Sequence, residues 1–136
     1  MMAQIDAQMV EAINQPGRIG VLATADASGQ PNAAYFGSPR LNPDGALVMG
    51  LMKNRSLANL EANPKAVFFV AAEAPVTFTT PGWRLYLSVQ KIDRDGEVLA
   101  AVREAIAAKA GAQAAQAIVA GVVFKVEEVR ALVAMG

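Results

Sequence analysis

Histidine and cysteine are both missing from these 136 residues. Without cysteine there is no disulfide, no thiolate nucleophile and no thiolate metal site, which suits a reducing compartment. Without histidine the usual general base and the commonest metal ligand are gone, and a Ser-His-Asp hydrolase or a histidine zinc site is excluded. Any chemistry must come from a carboxylate, a lysine, a tyrosine or a bound cofactor. Net charge is missing too: 12 basic residues balance 12 acidic ones, so no broad field draws in nucleic acid or an anionic membrane. Aromatic residues are sparse, with one Trp, two Tyr and five Phe, too few to interleave with cations on a single-strand-binding face such as that of an OB-type module. The longest uncharged run, 110–124, is too short to cross a bilayer. Asp6 and Glu11 interrupt 1–13, so no signal peptide is expected there, and a soluble cytoplasmic protein is the default.

What is present is apolar. Hydrophobic residues make up 54% and charged residues 18%, enough to suggest that part of the apolar surface ends in a subunit interface. The length predicts one domain, 1–136, with no repeat and no linker. Ile5, Met9, Val10 and Ile13 recur at helical spacing before Pro16-Gly17, predicting an opening amphipathic helix. Strands are predicted over 18–25, 31–39 and 46–52, the first two joined by an Asp26-Ala-Ser-Gly hairpin turn and the last two by a turn at Asp44-Gly45; in immediate succession they form an antiparallel meander. A fourth, buried strand is predicted over 65–72, then a loop over 73–82. A fifth strand covers 83–92, where Trp83, Leu85, Leu87 and Val89 alternate with polar residues. A helix over 97–110 stops at Gly111, the alanine-rich piece to Gln116 is either more helix or a connector, and a last strand covers 117–126. The fold class is mainly β: six antiparallel strands in a barrel with flanking helices.

The stretch 45–64 carries the chemistry. After the strand comes a polar corner, Lys53-Asn-Arg-Ser56, then a short helix over about 56–62 that Asn54 or Ser56 can cap and Pro64 ends. The free N–H groups and dipole of such a helix favour an anion, and Lys53, Arg55 and the Ser56 hydroxyl arrive at the same end, as a phosphate monoester requires. The alternative is an ordinary capped helix with two solvated cations.

The order of these elements, with Lys53-Asn-Arg-Ser-Leu-Ala-Asn-Leu-Glu-Ala-Asn-Pro64 as its most specific part, resembles the FMN-binding split-barrel family related to pyridoxamine 5′-phosphate oxidase, in particular its small FMN-binding-protein type, over about 17–129. The resemblance implies FMN as cofactor, with Arg55 and Ser56 on its phosphate and Lys53 and Asn59 assisting. It places Ala34, Tyr35, Phe36, Gly37 and Ser38 along the flavin ring and ribityl chain, beside Met49, Gly50, Leu51 and Met52. It also implies a homodimer whose interface holds the flavin, covered by the 79–83 loop of the other subunit. Trp83 either reaches that flavin or anchors its strand in the core. The family's vitamin B6 oxidase has an arginine and a lysine on the second strand and an Arg-x-His segment near its end for a phosphorylated substrate. Here 34–39 holds no cation and histidine is absent, so pyridoxamine phosphate oxidase activity is not expected. The resemblance implies an FMN electron carrier or a small flavin-dependent oxidoreductase such as a flavin reductase. The alternative is a non-catalytic split barrel holding a deazaflavin, a haem or no cofactor.

Overall fold

The first helix is set by its cap. The Asp6 carboxylate accepts from the Met9 N–H at 2.9 Å, and α1 (Ala7–Ile13) buries Met9 and Ile13. The structure, a computed structural model, describes residues 4–134, and residues 1–3 and 135–136 of the expected domain lie outside that range. After α1 come β1 (Ile19–Ala25), β2 (Pro31–Tyr35), β3 (Arg40–Leu41), β4 (Ala46–Leu51), α2 (Arg55–Ala62), β5 (Lys65–Ala71), β6 (Gly82–Asp93), α3 (Glu97–Ala110), α4 (Ala112–Gln116) and β7 (Ala120–Ala131).

The seven strands of the described residues form one antiparallel sheet in the order β2-β1-β5-β6-β7-β4-β3. Its two outermost strands, β2 and β3, are neighbours in the chain, separated only by residues 36–39. Laid flat, the edges of seven strands would stand about 29 Å apart. The five Cα steps from Tyr35 to Arg40 reach about 17 Å at most. The sheet must therefore curl until its edges approach, and the result is a barrel split between β2 and the β3–β4 pair. Leu22, Leu47, Met49, Leu51, Phe68, Leu85 and Phe124 fill it and are fully buried. Burial of each such side chain contributes about 1.5–3 kcal/mol.

Four sequence expectations change. The strand expected over 31–39 stops at Tyr35, because the backbone of residues 36–39 turns its carbonyls to a side chain, Arg18, instead of a neighbouring strand. Chain pairing resumes at β3, which makes seven strands out of six. The expected meander is not formed: β4 pairs with β7 and β3, never with β2. The last strand begins at Ala120, after α4, and runs on to Ala131, past the expected end at 126. Its charged tail continues the ladder because Glu127 faces the wet side of β6, where it accepts from Ser88 Oγ at 2.7 Å.

The helix α3 lies on the outer face of β4 and β7 over two glycines. A Cβ on Gly50 would stand 2.5 Å from Val102 Cγ1, and one on Gly121 would stand 3.0 Å from Val98 Cγ1. Asp93, buried, holds the start of α3 by accepting from the N–H groups of Gly96 at 2.8 Å and Leu99 at 3.0 Å. The Leu99 N–H contact is the foremost reason that the Asp93 carboxyl lies below its ordinary range, with burial opposing it.

Candidate functional site

The corner between β4 and α2 takes the shape expected of it. Asn54 is the cap: its side chain accepts from the Leu57 N–H at 3.0 Å. On the helix that follows, Leu57 and Leu60 are buried against the barrel, together with the polar Ser56 and Asn59. Lys53 and Arg55 are exposed, and neither forms an ion pair among the described residues. They open into a cleft of about 1000 Å³ that Asp26, Gln30, Asn59 and Arg94 also line. The two acids there are engaged. Glu61 accepts from Arg94, and Asp26 accepts from the Ser28 hydroxyl at 2.7 Å and from the Gln30 N–H at 2.9 Å. Those bonds, the Ser28 hydroxyl first, hold the Asp26 carboxyl below its ordinary range. Asp26 keeps its negative charge, since its partners are neutral, but with Glu61 paired to Arg94 the cations Lys53 and Arg55 outweigh it and the cleft is positive on balance.

Ser56 and Asn59 have a second occupation. The Ser56 hydroxyl, 2% exposed, accepts from Asn32 Nδ2 at 3.3 Å, and Asn59 Nδ2 donates to the buried Thr24 Oγ1 at 3.0 Å. Both bonds tie α2 to the β1–β2 hairpin, so these residues brace the corner while Lys53 and Arg55 face outward. The partners Thr24 and Asn32 have no signal in the sequence, because each pairing spans more than twenty residues.

The remaining expected site residues lie along the split. Beyond the two pairs that β3 makes with Leu47 and Val48, the outer edge of β4 has no strand partner among the described residues; β2 forms the facing edge. Ser38 Oγ reaches across to the Gly50 carbonyl at 3.5 Å. Met49 and Leu51 point into the core, so only their backbone is available to a ligand. Gly50 is small because α3 lies over it. Phe36 packs against the core, and Ala34 is half-buried. Tyr35 and Met52 are 64% and 51% exposed, a large apolar surface for the two lips of one gap. No residue of β2 is buried on either face. Trp83 is half-buried at the start of β6, packed against the core, whereas Phe78 in the preceding loop is 85% exposed.

Across the split lies a residue that the sequence did not single out. Arg18, 5% exposed, donates from Nε to the Ile13 carbonyl at 2.8 Å, from Nη1 to Phe36 at 3.0 Å, and from Nη2 to Pro39 at 2.7 Å and Gly37 at 3.4 Å. Its guanidinium also stands 5.3 Å from the centre of the Phe68 ring. Arg18 clasps the end of α1 to the linker that closes the barrel. A lone cation between Pro16-Gly17 and an apolar run was the available signal.

The chain matches a family model described as pyridoxamine 5′-phosphate oxidase over residues 5–132. No curated protein matches significantly by sequence. Among solved structures, an FMN-binding protein from Syntrophomonas wolfei subsp. wolfei superposes with a TM-score of 0.80 at 18% identity, covering 93% of this chain and 85% of that one. HupZ from Group A Streptococcus superposes with 0.78 at 23% identity over 95% and 94% of the two chains. HutZ, the haem storage protein of Vibrio cholerae, superposes with 0.62 at 21% identity over 91% and 89%. At such identities these likenesses speak for the fold alone.

Proposed function

The chain belongs to the pyridoxamine 5′-phosphate oxidase family of FMN-binding split barrels, and from that premise we propose that it is a homodimeric FMN protein, an electron carrier or a small flavin-dependent oxidoreductase. The observation that carries this reading is the corner of Lys53 and Arg55: two exposed cations without ion-pair partners among the described residues, at the N-terminal end of a capped helix, opening into a cleft large enough for a cofactor. A phosphate monoester there meets both cations and free helix N–H groups, with Ser56 and Asn59 holding the helix in place. From the corner, the ribityl chain and ring follow the outer edges of β2 and β4, along Ala34 to Ser38 and Met49 to Met52; the inner edges pair with β1 and β7, and the outer edges border the split. FMN, when bound, supplies the redox chemistry; the chain supplies binding and orientation.

The dimer follows from surface that a single chain leaves bare. Tyr35 and Met52 at the split and Val76 and Phe78 in the 72–81 loop are all large apolar side chains in water. In this reading a second copy covers the split, and Phe78, with more surface to give than the half-buried Trp83, is the residue sent to the neighbour's flavin. The reading does not extend to pyridoxamine phosphate oxidation, since β2 offers no cation to a second phosphate.

The test is the visible absorption spectrum of the purified protein, with the released chromophore weighed by mass spectrometry. Paired flavin bands and released FMN are expected. A colourless protein that also takes up no added FMN would overturn the proposal; a deazaflavin or a haem released instead would replace the cofactor while keeping the fold.

A further inference from the structure

The cleft at the corner is far larger than the group the corner holds. It measures about 1000 Å³, the upper end of what a whole small ligand occupies, and one phosphate fills a small part of it. The flavin ring and ribityl chain do not fill the rest, because none of the residues along their path, 34–38 and 49–52, lines this cleft. Beyond Lys53 and Arg55 the lining runs over Ala58 and Glu61 on the outward face of α2, to Asp26 and Gln30 of the β1–β2 hairpin and to Arg94 just past β6. These side chains hold unspent polar atoms. The three hydrogen bonds that Ser28 and Gln30 donate to the Asp26 carboxylate all fall on Oδ1, which leaves Oδ2 to a ligand. Gln30 donates from Nε2 to the Pro31 carbonyl at 3.3 Å, and its Oε1 has no donor among the described residues. Arg94 engages Glu61 through Nη2 alone, so Nε and Nη1 are left over. Two of these outlying groups, Asp26 and Glu61, are carboxylates, which repel a further acid and accept from hydroxyl and amino groups. Whatever extends from the phosphate into this space must therefore carry donors.

We propose that the site takes FAD, and holds it at least as tightly as FMN. The diphosphate lies between the Lys53–Arg55 corner and Arg94, and the adenosine lies over Ala58 with its hydroxyl and amino groups toward Glu61, Asp26 and Gln30. A glutamine amide offers one acceptor and one donor, the pair that adenine's amino group and ring nitrogen call for. The inference rests on the flavin reading of the corner and adds to it the second half of a dinucleotide cofactor, seated on residues that the flavin path does not use.

The probes are FMN and FAD, titrated calorimetrically into the flavin-free full chain. FAD is expected to bind with a Kd equal to or below that of FMN. In Ala58→Trp, which sets a large side chain on the exposed face of α2, FAD is expected to weaken about tenfold or more while FMN stays within about twofold. Arg94→Gln, also at an exposed position, is expected to cost FAD about tenfold, the scale of one charge-assisted contact, and FMN about twofold or less. FAD weaker than FMN in the parent, or FAD affinity unchanged in either variant, would overturn the inference and leave the corner with FMN. An equal loss of both flavins in the variants would also overturn it, by placing these side chains at the first phosphate. A chain that binds neither flavin overturns the flavin reading itself, and this inference with it.

Discussion

Two clefts of this barrel are built in opposite ways. The phosphate corner is local: Lys53, Asn54, Arg55 and Asn59 stand within seven residues of one another, the cations are exposed, and a neutral side chain caps the helix. The other, about 620 Å³ behind the 36–39 linker, is assembled from three distant parts, the end of α1, the 35–42 segment and the face of α3, and its central cation is buried. The corner's cations carry almost no structural duty and are free for a ligand. Arg18 holds the barrel shut. A charge in the first cleft should therefore be removable with loss of binding alone, and Arg18 in the second only with loss of fold stability.

The largest effect is expected from Arg18→Ala. It leaves the carbonyls of Ile13, Phe36 and Pro39 without the donors that now sit within 3.0 Å of them. Leaving a buried carbonyl unsatisfied costs about 1–3 kcal/mol, and three together take a large share of a typical domain's stability. Relief from burying the charge offsets part of this, but the carbonyls stay behind in the protein. Arg18→Lys keeps the charge without the planar fork and should fall between the two. Urea unfolding checks both. An Arg18→Ala midpoint equal to the parent's would mean that the linker finds other donors, and the contrast between the clefts would collapse.

Arg55→Ala should do the reverse. The side chain is exposed and, among the described residues, has no hydrogen-bond or ion-pair partner, so stability should change by no more than about 0.5 kcal/mol. Its contact with a phosphate is charge-assisted, and FMN affinity should fall by about 1.5–3 kcal/mol, roughly 10- to 150-fold in Kd. Flavin fluorescence titration of parent and variant measures this. Unchanged affinity would remove Arg55 from the site and leave the corner as an ordinary helix cap.

The same division between local and distant explains what could be read from the sequence. The corner, the 97–110 helix and the strands 18–25 and 65–72 were legible because their signals, caps, breakers and apolar periodicity, lie within a few residues. The break at Tyr35 was not, because what ends that strand is Arg18, seventeen positions earlier, capturing carbonyls that would otherwise pair. Gly50 shows the same limit. The family resemblance sets it beside the flavin, and the structure adds the atoms that require its small size, Val102, Ile106 and Ile118, brought over it by a helix whose place no local pattern encodes. Ser56 was found for its position at the corner and Asn59 through the family resemblance, and the structure adds what the sequence could not, their bonds to Asn32 and Thr24 across the hairpin.

The smallest predicted effect concerns the helices that flank the clefts. The first is capped by the neutral Asn54, the second by the carboxylate of Asp93. Because the native state lowers the Asp93 pKa below its unfolded value, the cap's contribution is fully present above the ordinary carboxylate range. It is lost as pH falls through that range toward the native pKa. Asp26 and Glu127 are lowered too and steepen the overall acid dependence, so the diagnostic quantity is the difference between parent and Asp93→Asn, which cancels them. Thermal midpoints measured from about pH 7 down to about pH 3 should show the variant less stable at the neutral end and the gap closing as the parent's carboxylate takes up its proton. Over the same range the roof of the second cleft loosens while the corner, with no titrating cap, keeps its helix. A gap that stays constant with pH would show that the Asp93 charge has no part in holding α3, and acid would then not discriminate between the two clefts.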